Sequence, residues 1–168
     1  MTAVVEFQAF YDNDDNFIVK EFAIVSQNCK IHMIFRPPFK KSFLTPKAQR
    51  TARWLTRHFH RIPWETEEGV GYDTDLFRVL CGAFRVVYTN GQDKVRFLEQ
   101  FHYNVRDMST PDKYNTDDDH EVQCTLPQHQ DIQVPCALHN ALKGYKSLST
   151  RDICPVCNHV FKRVGHSE

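Results

Sequence analysis

Glycine is scarce in this chain, with 6 in 168 residues. That scarcity excludes a glycine-rich fibre and argues against a loop-dominated scaffold. Long apolar runs are missing too, so no transmembrane helix and no membrane partner are expected. The opening Met1–Asp15 stretch turns acidic early and has neither a basic leader nor a long apolar core. It does not read as a secretory signal, and an intracellular location follows as the expectation, nucleus or cytoplasm undecided. Without export, a disulfide framework for the six cysteines is not expected. Net charge is also absent, 21 basic residues balancing 21 acidic ones. What remains is a 41% hydrophobic chain with 13 phenylalanines, long enough to bury a core without staples.

The charge balance is global, not local. No acidic residue lies between Phe22 and Trp64, a stretch that carries Lys47, Arg50, Arg53 and Arg57 among nine lysines and arginines. Asp117, Asp118 and Asp119 concentrate negative charge later, and the tail is basic again. The basic stretch suits an anionic partner, either nucleic acid or an acidic protein surface, or is simply a solvated face. A row of Arg50, Arg53 and Arg57 would meet phosphates without reading bases, so nucleic-acid binding would be non-specific and salt-sensitive.

Hydrophobic patterning predicts strands over residues 4–10, 17–26 and 30–35, joined by short loops as an antiparallel meander. Thr45 and Pro46 suit the start of a helix in which apolar Leu44, Ala48, Ala52, Leu55 and Phe59 recur at helical spacing. A helix over 72–80, a strand over 84–88, the Asn90-Gly91 turn, a helix over 92–101 and a short strand over 104–108 follow. Residues 108–135 read as a long exposed loop, and 137–147 as a last helix. Trp54 and Trp64 are expected to pack, and His58 and His60 to lie at the surface near a helix end.

Cys29 and Cys81 sit in apolar contexts and read as small buried hydrophobes. Cys136-Ala-Leu-His139 and Cys154-Pro-Val-Cys157 are different, because two intervening residues let both side chains converge on one tetrahedral ion. Cys136, His139, Cys154 and Cys157 are therefore the expected ligands of a structural Zn²⁺, with His159, His120 and Cys124 as substitutes. Reduced structural thiols are the plainer alternative. Glu6, a carboxylate in an apolar strand, must find a partner, with Lys20 and Lys94 the candidates.

The element order and several phrases resemble the RNase H-like fold of the DEDD 3′–5′ exonucleases. Val4-Val5-Glu6-Phe7-Gln8-Ala9-Phe10 resembles their first-strand Asp-x-Glu motif, with Gln8 in the second acidic position. Thr89-Asn90-Gly91-Gln92-Asp93-Lys94-Val95 resembles the second motif, the acid falling at Lys94 or, with a one-residue slip, at Asp93. His139-Asn-Ala-Leu-Lys-Gly144 resembles the third, with Gly144 replacing an Asp. The resemblance implies an α/β fold over residues 1–150, a mixed sheet of three antiparallel strands and then two more, helices on both faces, and a zinc knuckle and basic tail over 151–168. It also implies that Glu6, Gln8, Asp93, His139 and Gly144 are vestiges unable to hold two Mg²⁺ ions. The chain is similar in kind to the Maelstrom domain, whose exonuclease-like fold carries a Glu-Cys-His-Cys zinc set. That similarity implies Cys136, His139 and Cys154 as ligands, with Glu6 or Cys157 as the fourth. Arg53–His60 and Thr89–Leu98 also resemble uncharacterised insect mobile-element or viral proteins.

These readings lead to a non-catalytic module that binds nucleic acid, single-stranded RNA first, or protein. The alternatives are an active Mg²⁺-dependent exonuclease using Glu6, Asp93 or Asp107, and His139, and a pure protein-interaction adaptor.

Overall fold

The computed structural model describes residues 1–108, 124, 126–129, 134–149, 152–153 and 160–161. Strands β1 (Thr2–Tyr11), β2 (Phe17–Ser26) and β3 (Lys30–Ile34) form the expected antiparallel meander. The turn between β1 and β2 closes on Asp12, whose Oδ1 accepts the backbone N–H groups of Asp14 and Asn16. Strands β4 (Val86–Thr89) and β5 (Val105–Asp107) then add in parallel on the other side of β1. The order β3-β2-β1-β4-β5 makes a mixed five-stranded sheet, consistent with an RNase H-like fold.

Helices cover both faces, and strand alternation assigns the residues. Val5 and Phe7 face α2 (Thr74–Gly82) and α3 (Gln92–Glu99) in a cluster with Phe22, Phe77 and Leu98. Val4 faces α4 (Ala137–Ser149) with Ala23, Val25 and Ala141. Phe10 faces α1 (Pro46–His58) with Ile18, Ala52, Leu55 and Trp64. Gly144 lets α4 approach closely: a Cβ there would lie 3.0 Å from Val4 Cγ1 and 3.2 Å from Met108 Cε.

One irregularity interrupts the β1–β2 pairing. Gln8 pairs with Glu21 and Ala9 with Val19, leaving Lys20 as an extra residue on β2. The bulge resets the alternation, so that Ile18 and Glu21 face the same layer as Phe10 and Gln8. Lys20 itself is buried, donating from Nζ to the Trp64 carbonyl at 2.8 Å and to Thr66 Oγ1 at 3.0 Å. Burial lowers its pKa to about 8.

Several expected boundaries move for local reasons. The third strand stops at Ile34, and Phe35 instead bridges Val70. The second helix starts at Thr74 because Asp73 caps it, accepting the Asp75 N–H at 3.0 Å. Tyr72, expected inside that helix, uses its hydroxyl to accept the Val19 N–H at 3.1 Å. Residues 108–135 are not wholly an exposed loop, since Met108, Cys124 and His129 are buried and Pro127–His129 forms a 3-10 turn. Cys81 is buried as expected, whereas Cys29 is half-buried. Past α4, the two-residue strands β6 (Asp152–Ile153) and β7 (Val160–Phe161) pair antiparallel. The expected knuckle at Cys154 and Cys157 lies outside the described residues, as do His120, His159 and the Asp117–Asp119 run. No helix among the described residues is long and apolar enough to cross a membrane.

Candidate metal centre

Four buried side chains converge between β2, the start of α4 and the segment before it. Glu21, Cys124, His129 and Cys136 place one ligand atom each within 4.8 Å of one another. Glu21 comes from the alternation of β2 that also turns Ala23 and Val25 toward α4. Cys136 immediately precedes α4, and His129 ends the 3-10 turn.

Among the described residues, the hydrogen-bond and ion-pair partners of the Glu21 carboxylate gather on Oε1. That oxygen accepts the Ala137 backbone N–H at 3.1 Å, the helix-end donor of α4, and the Cys136 sulfur lies 3.4 Å from it. His32 Nε2 lies 2.9 Å from it and His129 Nδ1 3.7 Å. Oε2 is buried and has no hydrogen-bond partner among the described residues. A wholly buried carboxylate oxygen without a partner is costly.

His129 is oriented from behind. Its Nε2 donates to the His60 carbonyl at 2.7 Å, which turns Nδ1 toward Cys124 Sγ, 3.7 Å away. The two thiols differ. Cys124 is pulled down to about 4, chiefly by the hydrogen bond donated by Cys136 and further by His129 and the Leu126 backbone. Cys136 is pushed up by donating that same bond and by burial. Burial alone would lower His129, but the Cys124 bond and Glu21 outweigh it and raise its pKa.

The residues fit a metal ion. A tetrahedral zinc with bonds of about 2.0–2.3 Å needs ligand atoms about 3.3–3.8 Å apart. Glu21–Cys136 at 3.4 Å, Glu21–His129 at 3.7 Å and Cys124–His129 at 3.7 Å fall in that range. The group could hold a metal such as zinc.

Of the expected ligands that lie among the described residues, Cys136 belongs to this group and His139 does not, with Cys124 entering from the substitutes; Cys154 and Cys157 lie outside the described residues. His139 lies on the first turn of α4 and is not among the four atoms. Glu6 is elsewhere on the same face. Its carboxylate pairs with Lys94 Nζ and accepts the Asn90 N–H at 2.8 Å. Lys94 also lies over the Phe7 ring, 5.2 Å from its centroid. Beside this pair, Asp107 at the end of β5 accepts from the Gly91 N–H at 3.1 Å and from Gln92 Nε2 at 2.7 Å. Gln8 is buried, Asp93 is exposed and pairs with Arg96 at 3.4 Å, and Gly144 is packed on Val4.

Sequence reasoning missed Glu21 and His129. The signal for Glu21 was the one used for Glu6, an acid within an apolar strand.

Lys47, Arg50, Arg53 and Arg57 are all exposed on α1. Thr45 caps that helix by accepting the Ala48 N–H at 3.3 Å, and Pro46 takes its first position. Lys47 lies 4.0 Å from Asp15; among the described residues no ion pair uses the three arginines. Two aromatic expectations divide: Trp64 packs, whereas Trp54 is 55% exposed. His60 is buried within the fold and not at the surface.

Compared with known protein families, curated proteins and solved structures, the chain matches none.

Proposed function

We propose that the chain is a non-catalytic nucleic-acid-binding domain on an exonuclease-type scaffold, pinned by a structural zinc. The observation that carries the zinc reading is the convergence of the buried Glu21, Cys124, His129 and Cys136, with one ligand atom each within 4.8 Å of one another. Mixed sulfur, nitrogen and oxygen donors suit zinc over Mg²⁺, which prefers an all-oxygen shell. The donors occur in the chain order Glu21, Cys124, His129, Cys136, the Glu-Cys-His-Cys set named by the Maelstrom resemblance. Zinc would supply cross-linking, and four protein ligands would leave it no open position for substrate. Glu21 would tie β2 to the ion, Cys136 would tie the start of α4, and Cys124 and His129 would tie the segment between. Lys47, Arg50, Arg53 and Arg57 would meet phosphates, which makes binding non-specific and salt-sensitive.

An acidic protein partner is the competing use of the same helix, and mobile-element or viral biology rests on sequence resemblance alone. The exonuclease alternative draws support from Glu6 and Asp107, which accept from the adjacent backbone amides of Asn90 and Gly91. Lys94 argues against it, because an ammonium already neutralises Glu6.

Elemental analysis of purified, untagged protein tests the proposal, combined with incubation of a labelled oligonucleotide with Mg²⁺. About one zinc per chain, lost in Glu21→Gln, with an intact oligonucleotide, is expected. A folded protein without zinc would overturn the metal reading. Mg²⁺-dependent digestion that disappears in Glu6→Ala would overturn the non-catalytic one.

A further inference from the structure

Trp54 is out of place for a packing residue. Its sequence neighbour Leu55 and the nearby Ala52 are buried against the sheet, and Trp64 is only 4% exposed, yet Trp54 stands 55% exposed in the middle of α1. Phe59, 40% exposed just past the helix, lies nearly parallel to it, with ring centroids 6.3 Å apart and planes at 21°. His58 adds a third ring, 6.0 Å from Trp54. The aromatic surface is therefore a group of neighbouring planes and not one stray side chain.

The cations surround it at helical spacing. Arg50 precedes Trp54 by one turn, Arg57 follows it by three residues, and Arg53 is adjacent, all exposed. Residues 50 to 57 span about 10 Å of helix axis. Acidic residues are absent from α1, and among the described residues no cation covers the Trp54 ring. Trp54 keeps more than half of its surface exposed beside Phe59, and among the described residues the three guanidiniums form no ion pair.

We propose that Trp54, extended by Phe59, is a base-stacking platform that makes the α1 face selective for single-stranded nucleic acid. This rests on the nucleic-acid reading of Lys47, Arg50, Arg53 and Arg57 and adds what they lack. Phosphates alone do not distinguish a single strand from a duplex of similar charge. An aromatic plane does, because only unpaired bases offer an open face, and every base has one. Guanidiniums beside the ring hold the backbone while the base stacks, so sequence preference stays small. An acidic protein surface would account for the arginines but has no need of an open indole plane between them.

The test measures anisotropy of labelled single-stranded RNA and DNA 12-mers and of a blunt 12-base-pair duplex at low salt. Full-length wild-type, Trp54→Ala, Trp54→Phe and Arg50/Arg53/Arg57→Glu proteins are compared. Trp54 is exposed, so its replacement should leave zinc content and unfolding midpoint unchanged. The expected result is about tenfold weaker single-strand binding for Trp54→Ala, partial recovery in Trp54→Phe, and little change on duplex. Quenching of tryptophan emission by the single strand should vanish with Trp54→Phe, since Trp64 is buried. If Trp54→Ala binds single strands as wild type does while the arginine variant fails, the platform is wrong and the phosphate reading stands. If wild type retains none of the probes, both are wrong and the helix is left to an acidic protein.

Discussion

Two glutamates on one face of the sheet are buried almost equally, and their surroundings differ in one respect. Glu6 on β1 has a built-in cation, Lys94, and a backbone donor at Asn90. Glu21, the cross-strand partner of Gln8, has its hydrogen-bond and ion-pair partners among the described residues on one oxygen and none on the other. Its nearby bases are histidines, whose charge depends on a proton, and the Cys136 thiol lies beside it. A lysine side chain completes the first cluster from within the chain. In the second, no lysine or arginine pairs with the carboxylate among the described residues, and the donor set could hold a metal such as zinc. Chemistry on this face is thus decided by which carboxylate lacks a resident cation, not by which is more buried.

The sharpest break of this comparison is a pair of single substitutions. Glu21→Gln should lower zinc affinity by more than about 100-fold, since removal of outer-shell partners alone already costs 10–100-fold. Glu6→Gln should leave zinc content at one per chain. Zinc loss from both variants would mean a single coupled site. Proton uptake sharpens the same point. The Cys136 thiol and the His129 imidazole are both held protonated more firmly than usual. A bound metal must displace those protons, so zinc affinity, measured by chelator competition, should rise with pH and each uptake should release protons. A flat profile would mean that these residues are not ligands.

Next in size is the Glu6–Lys94 pair itself. Lys94→Met strands a carboxylate whose side chain is 3% exposed. Such stranding costs about 3 kcal/mol, whereas removing both charges in Glu6→Gln/Lys94→Met should recover most of it. Urea unfolding of the three proteins reads this directly. Equal stability of Lys94→Met and wild type would show that solvent, not Lys94, neutralises Glu6.

The two clusters also differ in how far sequence could reveal them. The sheet order was legible because the meander, the Thr45-Pro46 helix start and the Asn90-Gly91 turn are local signals. Glu6 and Lys94 were nameable as a pair, since an acid in an apolar strand demands a partner. The metal group was legible only in its sulfur, Cys136 with Cys124 as a substitute. Cys136-x-x-His139 looks like a half-site by spacing, but helix α4 begins between them and His139 is not among the four converging atoms. The true neighbours are long-range: Glu21 and Cys136 are 115 residues apart, and meet because Glu21 alternates with Ala23 and Val25 onto the face that α4 covers. Local spacing carries no trace of such a contact. The exposure of Trp54 was hidden for a similar reason, because its helix buries only the face that holds Ala48, Ala52 and Leu55.

The same contrast recurs, with a smaller effect, in two buried histidines joined by one hydrogen bond. His129 donates to the carbonyl of His60, yet its own pKa is raised by Cys124 and Glu21 against the pull of burial. His60, wedged against the Phe10 ring at 4.8 Å, goes the other way: burial outweighs the attraction of Glu21 and lowers it to about 4. An unfolded histidine titrates near 6.5, so between that pH and about 4 the unfolded chain binds the extra proton. Stability linked to His60 is therefore complete above about pH 6.5 and is lost as pH falls toward 4. The loss should reach about 2 kcal/mol at pH 5. His60→Gln should remove that portion of the pH dependence. Urea unfolding at pH 7 and pH 5, with chelator present so that metal release does not contribute, measures it. If wild type and His60→Gln lose equal stability, the acid sensitivity belongs to the Glu21 cluster, and burial at His60 has no part in it.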